Sequence, residues 1–206
     1  VRFAEGGEKI TTLDDVEREL KEYHLLICDG KTPVALGGIM GGANSVIDDA
    51  TTDILIESAY FKPTVIRKGA KSFDLSTEAS RRFERDTDIE AVIPALAQLS
   101  ALIQEVAGGD ILGGIIDNYP TKKNSQCVDF SIENCNSFLG SNFSISQAKD
   151  IFQKLSITVE EKGDFLQCTI PSFRNDLERE VDLFEEIARV VGYNNIPSSL
   201  NFTGAF

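Results

Sequence analysis

His24-Leu25-Leu26-Ile27-Cys28-Asp29-Gly30-Lys31-Thr32-Pro33-Val34-Ala35-Leu36-Gly37-Gly38-Ile39-Met40-Gly41-Gly42 is the stretch on which the fold of the N-terminal half turns. His24 to Cys28 is a short apolar run and reads as a strand. Asp29-Gly30-Lys31 has turn chemistry, and Val34 to Leu36 is a second short strand, so the pair reads as a hairpin. Four glycines in the next six residues let the backbone take positive φ and approach closely whatever faces it. Their spacing is not the GxGxxG fingerprint, and no Gly-Lys-Ser/Thr follows to make a P-loop. A strained turn and a ligand-facing loop account for them equally well.

Upstream, Thr12 or Asp14 is placed to cap a helix running through Val16 and Leu20. His24 is the single histidine, so it is expected at a strand edge or in the core, not as a ligand. Downstream, Asp53 to Tyr60 reads as a buried strand interrupted by Glu57. Leu55, Glu57 and Ala59 share one face and Ile54 and Ile56 the other. Both faces are apolar, so alternation leaves open whether Glu57 meets solvent or is buried with a partner. Pro63 to Ala70 starts a helix with proline in its first turn. Ser76 to Ser80 opens another segment, ending in Arg85. Ile89 to Ala107 carries Val92, Leu96, Leu99, Ile103 and Val106 at helical spacing, and Gly108-Gly109 stops it. It is expected to be a long packed helix whose regular part begins near Pro94. Lys62, Arg67, Lys68, Lys71, Arg81, Arg82 and Arg85 outnumber Asp74, Glu78 and Glu84 in between. Charge alone favours a solvated helix face over a phosphate-contacting patch.

The polar stretch Asp117 to Ser125 is a domain boundary. Beyond it, Cys127 to Ile132 reads as a strand, and Ser144-Ile145-Ser146-Gln147 is a capping box opening a helix through Ile151, Phe152 and Leu155. Ile157 to Glu161 and Phe165 to Ile170 flank the hairpin turn Lys162-Gly163-Asp164. A last helix runs from about Glu178 to Val191, with Gly192 as its stop. The class is α+β: a mixed α/β domain, then a small α+β module. Asp182, Glu185 and Glu186 share one face of the last helix, with Asp176 just before it. A helix N-terminal half is often acidic because of the macrodipole. The alternative is a hard cation such as Mg²⁺ held by oxygen ligands.

The whole chain has 206 residues, 20 Lys+Arg against 33 Asp+Glu, a net charge of −13 and 42% hydrophobic residues. At roughly 150 residues per domain that is one large or two small domains with a real core. The acidic balance excludes a general nucleic-acid coat and a binder of anionic membranes. No apolar run approaches the ~20 residues needed to span a bilayer. The chain begins Val1-Arg2-Phe3, has one methionine (Met40) and no tryptophan, and reads as a piece of a longer polypeptide without a signal peptide. Cys28, Cys127, Cys135 and Cys168 fit no zinc template and suit scattered reduced thiols.

Three motifs in order resemble one known family. They are Gly37 to Gly42, then Ile54-Leu55-Ile56-Glu57-Ser58-Ala59-Tyr60-Phe61, then Leu75-Ser76-Thr77-Glu78-Ala79-Ser80-Arg81-Arg82-Phe83-Glu84-Arg85. Together they are similar to the editing domain of bacterial phenylalanyl-tRNA synthetase beta subunits. Pro171 to Pro197 resembles the module that follows it, related to winged-helix-like DNA-binding folds. The resemblance implies an editing domain over 1–118, a small module over 119–200 and the start of a further domain over 201–206. It implies hydrolysis of mischarged tyrosyl-tRNA(Phe), with a pocket of Gly38, Gly41, Glu57, Thr77 and Ala79. It implies Mg²⁺ held by Asp176, Asp182, Glu185 and Glu186 and shared with the alpha subunit. The implied partners are tRNA(Phe) and that alpha subunit, in a cytoplasmic assembly of two alpha and two beta chains with no membrane contact. ATP and phenylalanine chemistry would belong to the alpha subunit. A non-catalytic tRNA-binding or scaffolding role is the alternative. Two positions depart from the family: Ser76 replaces a basic residue and Asp86 a glycine. The family's functional histidine would lie before Val1, and His24 does not match it, so part of the pocket is expected to be missing.

Overall fold

The computed structural model describes residues 1–197. The expected start of a further domain over 201–206, and the last residues of 119–200, lie outside them. The chain divides into two compact units between Gly113 and Gly114, just ahead of the polar stretch from Asp117 to Ser125. Both units combine helices with antiparallel sheet, so the α+β class holds.

The first unit is built on a four-stranded sheet in the order β1 (Arg2–Phe3), β4 (Leu25–Asp29), β5 (Thr32–Leu36), β6 (Met40–Gly41). β4 and β5 pair around Gly30, whose φ of 58° only a residue without Cβ takes freely. Helices α1 (Pro63–Ser72) and α2 (Glu78–Phe83) contribute to the same apolar cluster, which joins Leu26 and Leu36 to Phe61, Ile66 and Ala70. His24 is 1% exposed. Its Nδ1 accepts from the Lys21 amide at 3.0 Å, which leaves the proton on Nε2, 2.7 Å from Ser72 Oγ. Ser72 Oγ in turn donates to Gly69 O at 2.7 Å. Burial pushes the imidazole pKa down, helped by Lys21 and Lys68, so a neutral, satisfied core histidine results.

Three expectations fail in this unit. The helix through Val16 and Leu20 is instead a hairpin of β2 (Lys9–Thr11) and β3 (Glu17–Glu19). Thr12 and Asp14, read as caps, form its turn: Thr12 Oγ1 donates to Asp14 Oδ1 at 2.5 Å, and Asp14 takes both Arg18 Nη atoms at 2.7 Å. Cap residues and turn residues are the same types, and here the turn wins. Residues 53–60 form no strand; Leu55 is 96% exposed. Extended backbone becomes a strand only when a neighbour takes its N–H and C=O groups, and no described strand does. Helix α3 (Val92–Ala107), preceded by a 3-10 turn at Ile89–Ala91, has the expected span and glycine stop but no buried residue. By length and composition Ile89–Ala107 is also apolar enough to cross a membrane, which amends the earlier reading. Glu90, Gln98, Gln104 and Glu105 interrupt its apolar surface.

The second unit is a three-stranded antiparallel sheet, β7 (Gln126–Phe130), β9 (Phe165–Ile170) and β8 (Thr158–Lys162) in that order. Gly163, at φ 65°, makes the tight turn between β8 and β9. α5 (Ile145–Lys154) opens on the expected Ser144–Gln147 capping box, and α6 (Glu180–Val191) ends at Gly192 with φ 93°. The strand expected to reach Ile132 stops at Phe130, because Ser131 accepts from the Asn134 amide and caps α4 (Ile132–Leu139). Phe130, Phe152, Leu183 and Ile187 fill the core, with Phe130 edge-on to both Phe152 and Phe184.

Candidate functional site

The glycine turn is a closely packed corner between β5 and β6. Gly38 sits at φ 67°, and a Cβ there would lie 2.9 Å from both Ile66 Cδ1 and Phe61 Cδ2. At Gly41 it would lie 3.0 Å from Leu13 Cδ1, and at Gly42 2.7 Å from Val34 O. These contacts are with the chain itself, at Gly38 with the buried Ile66 and Phe61, so the turn needs glycine whether or not a ligand approaches it. Thr77 binds this turn to α2. Its Oγ1 donates to Ile39 O at 2.7 Å and accepts from the Ser80 amide at 3.0 Å, while Ser80 Oγ accepts from the Thr77 amide at 3.0 Å. This reciprocal capping box seats the start of α2, and half-buried Ala79 follows on its first turn.

Gly38 and Thr77 are thus brought together through Ile39. Glu57 is not tied to them by any hydrogen bond among the described residues. It lies on the 53–60 segment, which forms no strand, and is exposed, yet crowding by protein atoms desolvates it and pushes its carboxyl pKa up, against the pull of the N-terminal amine. That segment is anchored nearby by Ser58 Oγ, which donates to Val92 O at 2.8 Å.

Both departures from the family motif have a local solution. Ser76 Oγ accepts from Arg81 Nε at 3.0 Å. Asp86 has φ 73°, the left-handed region that favours glycine, and aspartate is among the few other residues that tolerate it. Its Oδ1 accepts from the Thr87 amide at 3.0 Å. The seven basic residues from Lys62 to Arg85 are all exposed. Arg81 and Arg82 reach Glu78 only at 3.8 and 3.7 Å.

The four carboxylates near α6 are dispersed by their partners. Arg174 Nε and Nη2 grip Asp176 at 2.9 and 2.7 Å, and the same Nη2 reaches Glu186 Oε1 at 2.8 Å. Arg189 pairs with Glu186 Oε2. Asp182 turns back to the helix start, where Oδ2 accepts from the Glu178 and Arg179 amides at 3.1 and 2.7 Å and Oδ1 takes Arg179 Nη2 at 3.0 Å. Glu185 points into solvent. Desolvation pushes the Glu186 carboxyl up, but the Arg174 and Arg189 hydrogen bonds prevail and hold it below its ordinary range. Among the described residues no three His, Cys, Asp or Glu side chains converge as metal ligands. Asp176, Asp182, Glu185 and Glu186, as arranged here, do not fit a Mg²⁺ site. Arg174, Arg179 and Arg189 are the residues that reading the acids alone misses; each stands two or three positions from one acid it neutralises, and Arg174 also reaches Glu186 twelve positions on.

Residues 1–108 match the B3/4 domain and residues 128–193 the tRNA synthetase B5 domain. The chain belongs to the B3/4 domain family, with a B5 domain after it. Over nearly its whole length it is similar to phenylalanine–tRNA ligase beta subunits. It is 47% identical to that subunit from Geobacter sulfurreducens and 45% identical to that from Geobacter metallireducens, each over 97% of this chain and 25% of the relative. It is 46% identical to the Desulfotalea psychrophila subunit over 95% of the chain and 24% of the relative. The chain therefore spans about a quarter of the length of these relatives.

Proposed function

We propose that this chain is the editing and adjoining portion of a phenylalanine–tRNA ligase beta subunit, and that its first unit hydrolyses tyrosyl-tRNA(Phe). The observation that carries the reading is the junction of Gly38, Ile39 and Thr77, where matched motifs far apart in sequence meet. Tyrosine differs from phenylalanine by one hydroxyl and is the larger, so a sieve that excludes larger products cannot select it. A polar group that binds the hydroxyl can, because phenylalanine would leave that group unpaired. Glu57 is assigned that role: it is accessible, and its surroundings already lie poorer in water than the bulk. Thr77 and the turn, with Gly41 and Ala79 beside them, hold the backbone against which the aminoacyl ester lies. Water is the nucleophile, oriented by these groups and by the tRNA. The exposed cations from Lys62 to Arg85 lie on the same unit and supply contacts for the tRNA phosphates. The second unit is assigned to assembly with the alpha subunit, which carries the ATP-dependent chemistry, in a cytoplasmic complex of two alpha and two beta chains. No Mg²⁺ step is routed through its carboxylates.

The test is deacylation of tyrosyl-tRNA(Phe) by a full-length beta subunit carrying this segment, paired with the alpha subunit. Glu57→Ala is expected to raise the survival of tyrosyl-tRNA(Phe) while phenylalanyl-tRNA(Phe) synthesis is unchanged. Undiminished deacylation removes Glu57 from the site. Among the described residues no nucleophile–base pair stands around the turn, which favours a binding-only role as second reading. Retained tRNA binding with no deacylation by the wild-type enzyme would establish it.

A further inference from the structure

Glu186 is only 5% exposed, and a carboxylate so enclosed needs a compensating positive charge. Two guanidinium groups provide it. Arg189 lies on one oxygen and Arg174 on the other. Arg174 extends the same grip to Asp176, so a single nitrogen, Nη2, holds carboxylates on two different elements, the 171–177 turn and α6. The turn is itself tightly wound, with the Arg174 amide on Pro171 O at 2.9 Å and the Leu177 amide on Arg174 O at 3.3 Å. A Mg²⁺ ion bound by these two carboxylates needs oxygens at about 2.1 Å in near-octahedral array. The space between them is filled by Arg174.

We propose that Arg174 is the resident cation of this cluster, occupying the place between Asp176 and Glu186 and excluding a divalent ion from both. Two carboxylates face two guanidinium groups, so the cluster holds no surplus negative charge to draw an ion in. The same planar fork staples the turn to α6, a geometry that suits arginine and not lysine. Entry of an ion and departure of Arg174 from its two partners are therefore one event.

The experiment titrates the 206-residue chain with Mn²⁺, read by the loss of the free-ion electron paramagnetic resonance signal, and with Mg²⁺ by calorimetry. The wild-type chain is expected to bind neither below about 1 mM. Arg174→Met vacates the position and is expected to bind Mn²⁺ at least roughly tenfold more tightly, since a unit charge a few ångströms away has been removed. Submillimolar binding by the wild-type chain, or no gain in Arg174→Met, overturns the proposal. Circular dichroism checks that the variant folds. Should it not, the wild-type Arg174 Nε–H resonance decides alone: it stays in place as Mg²⁺ is added, and its displacement by ion binding at low concentration overturns exclusion.

Discussion

Thr77→Val is the sharpest perturbation of the first unit, because it deletes one hydroxyl and keeps the shape. That hydroxyl makes two bonds, accepting from the Ser80 amide and donating to Ile39 O at 2.7 Å. Loss of the cap costs about 1 kcal/mol. Loss of the second bond costs about another 1 kcal/mol, and more if the Ile39 carbonyl is left dry. The sum, about 2–3 kcal/mol, corresponds to at least about thirtyfold faster amide exchange where exchange follows opening of the unit. Hydrogen exchange read by mass spectrometry separates the two units, which a single unfolding curve does not. The increase is expected in peptides covering 36–42 and 77–84, with those of the second unit unchanged. Thr77→Ser keeps the oxygen and should stay near wild type. Exchange in Thr77→Val within about twofold of wild type, or equal damage from Thr77→Ser, would refute the view that this hydroxyl joins the turn to α2.

Gly38→Ala forces a Cβ into the left-handed region and against Ile66 and Phe61, so a loss of about 2–4 kcal/mol is expected in urea unfolding. Adding Ile66→Val, which removes the Cδ1 that the new Cβ meets, should restore part of it. Thiol labelling of the native chain at pH 8 should modify exposed Cys127 first; burial pushes Cys135 up to about 11 and Cys168 to about 12 and hides both sulfurs. Fast labelling of either buried thiol would contradict the second core. The Arg2 hydrogen bond holds Glu8 down at about 2, and Arg18 with Thr12 holds Asp14 well below the carboxylate range. Both pKa values are depressed by folding, so their stabilisation is complete above the ordinary carboxylate pKa and is lost as pH falls from about 5 towards 2. Glu8→Gln should flatten that slope, by about 1 kcal/mol or less given solvent screening, in unfolding followed against pH.

What the sequence revealed was what short-range chemistry decides. The β4–β5 and β8–β9 hairpins, the α5 capping box and the glycine stops of α3 and α6 depend on neighbours a few residues away. Thr12 and Asp14 misled because the same side chains cap helices and close turns, and only the pairing of Ile10 with Arg18 across the hairpin distinguishes the two. The 53–60 segment and α3 carry apolar patterns, but burial is a property of partners, and the pattern names none. At the site, the motif order located Gly38 and Thr77, while the bond through Ile39 that unites them spans 38 positions and has no local trace. Helical spacing correctly put Asp182, Glu185 and Glu186 near one another along α6. It could not say that Asp182 folds back to the cap, that Glu186 turns inward to Arg174, or that Glu185 turns away.

The bare face of α3 has a consequence for handling the protein in solution. Leu99, Leu102 and Val106 meet water, and so does Leu112 just beyond the helix. Copies of such a surface attract one another over short range, and what opposes this at neutral pH is the mutual repulsion of molecules each carrying −13. That repulsion is colloidal, so added salt shortens it and acid abolishes it as the carboxylates take up protons. Precipitation on mild acidification would then precede loss of the fold, and low ionic strength at slightly alkaline pH is the regime in which the chain stays dispersed.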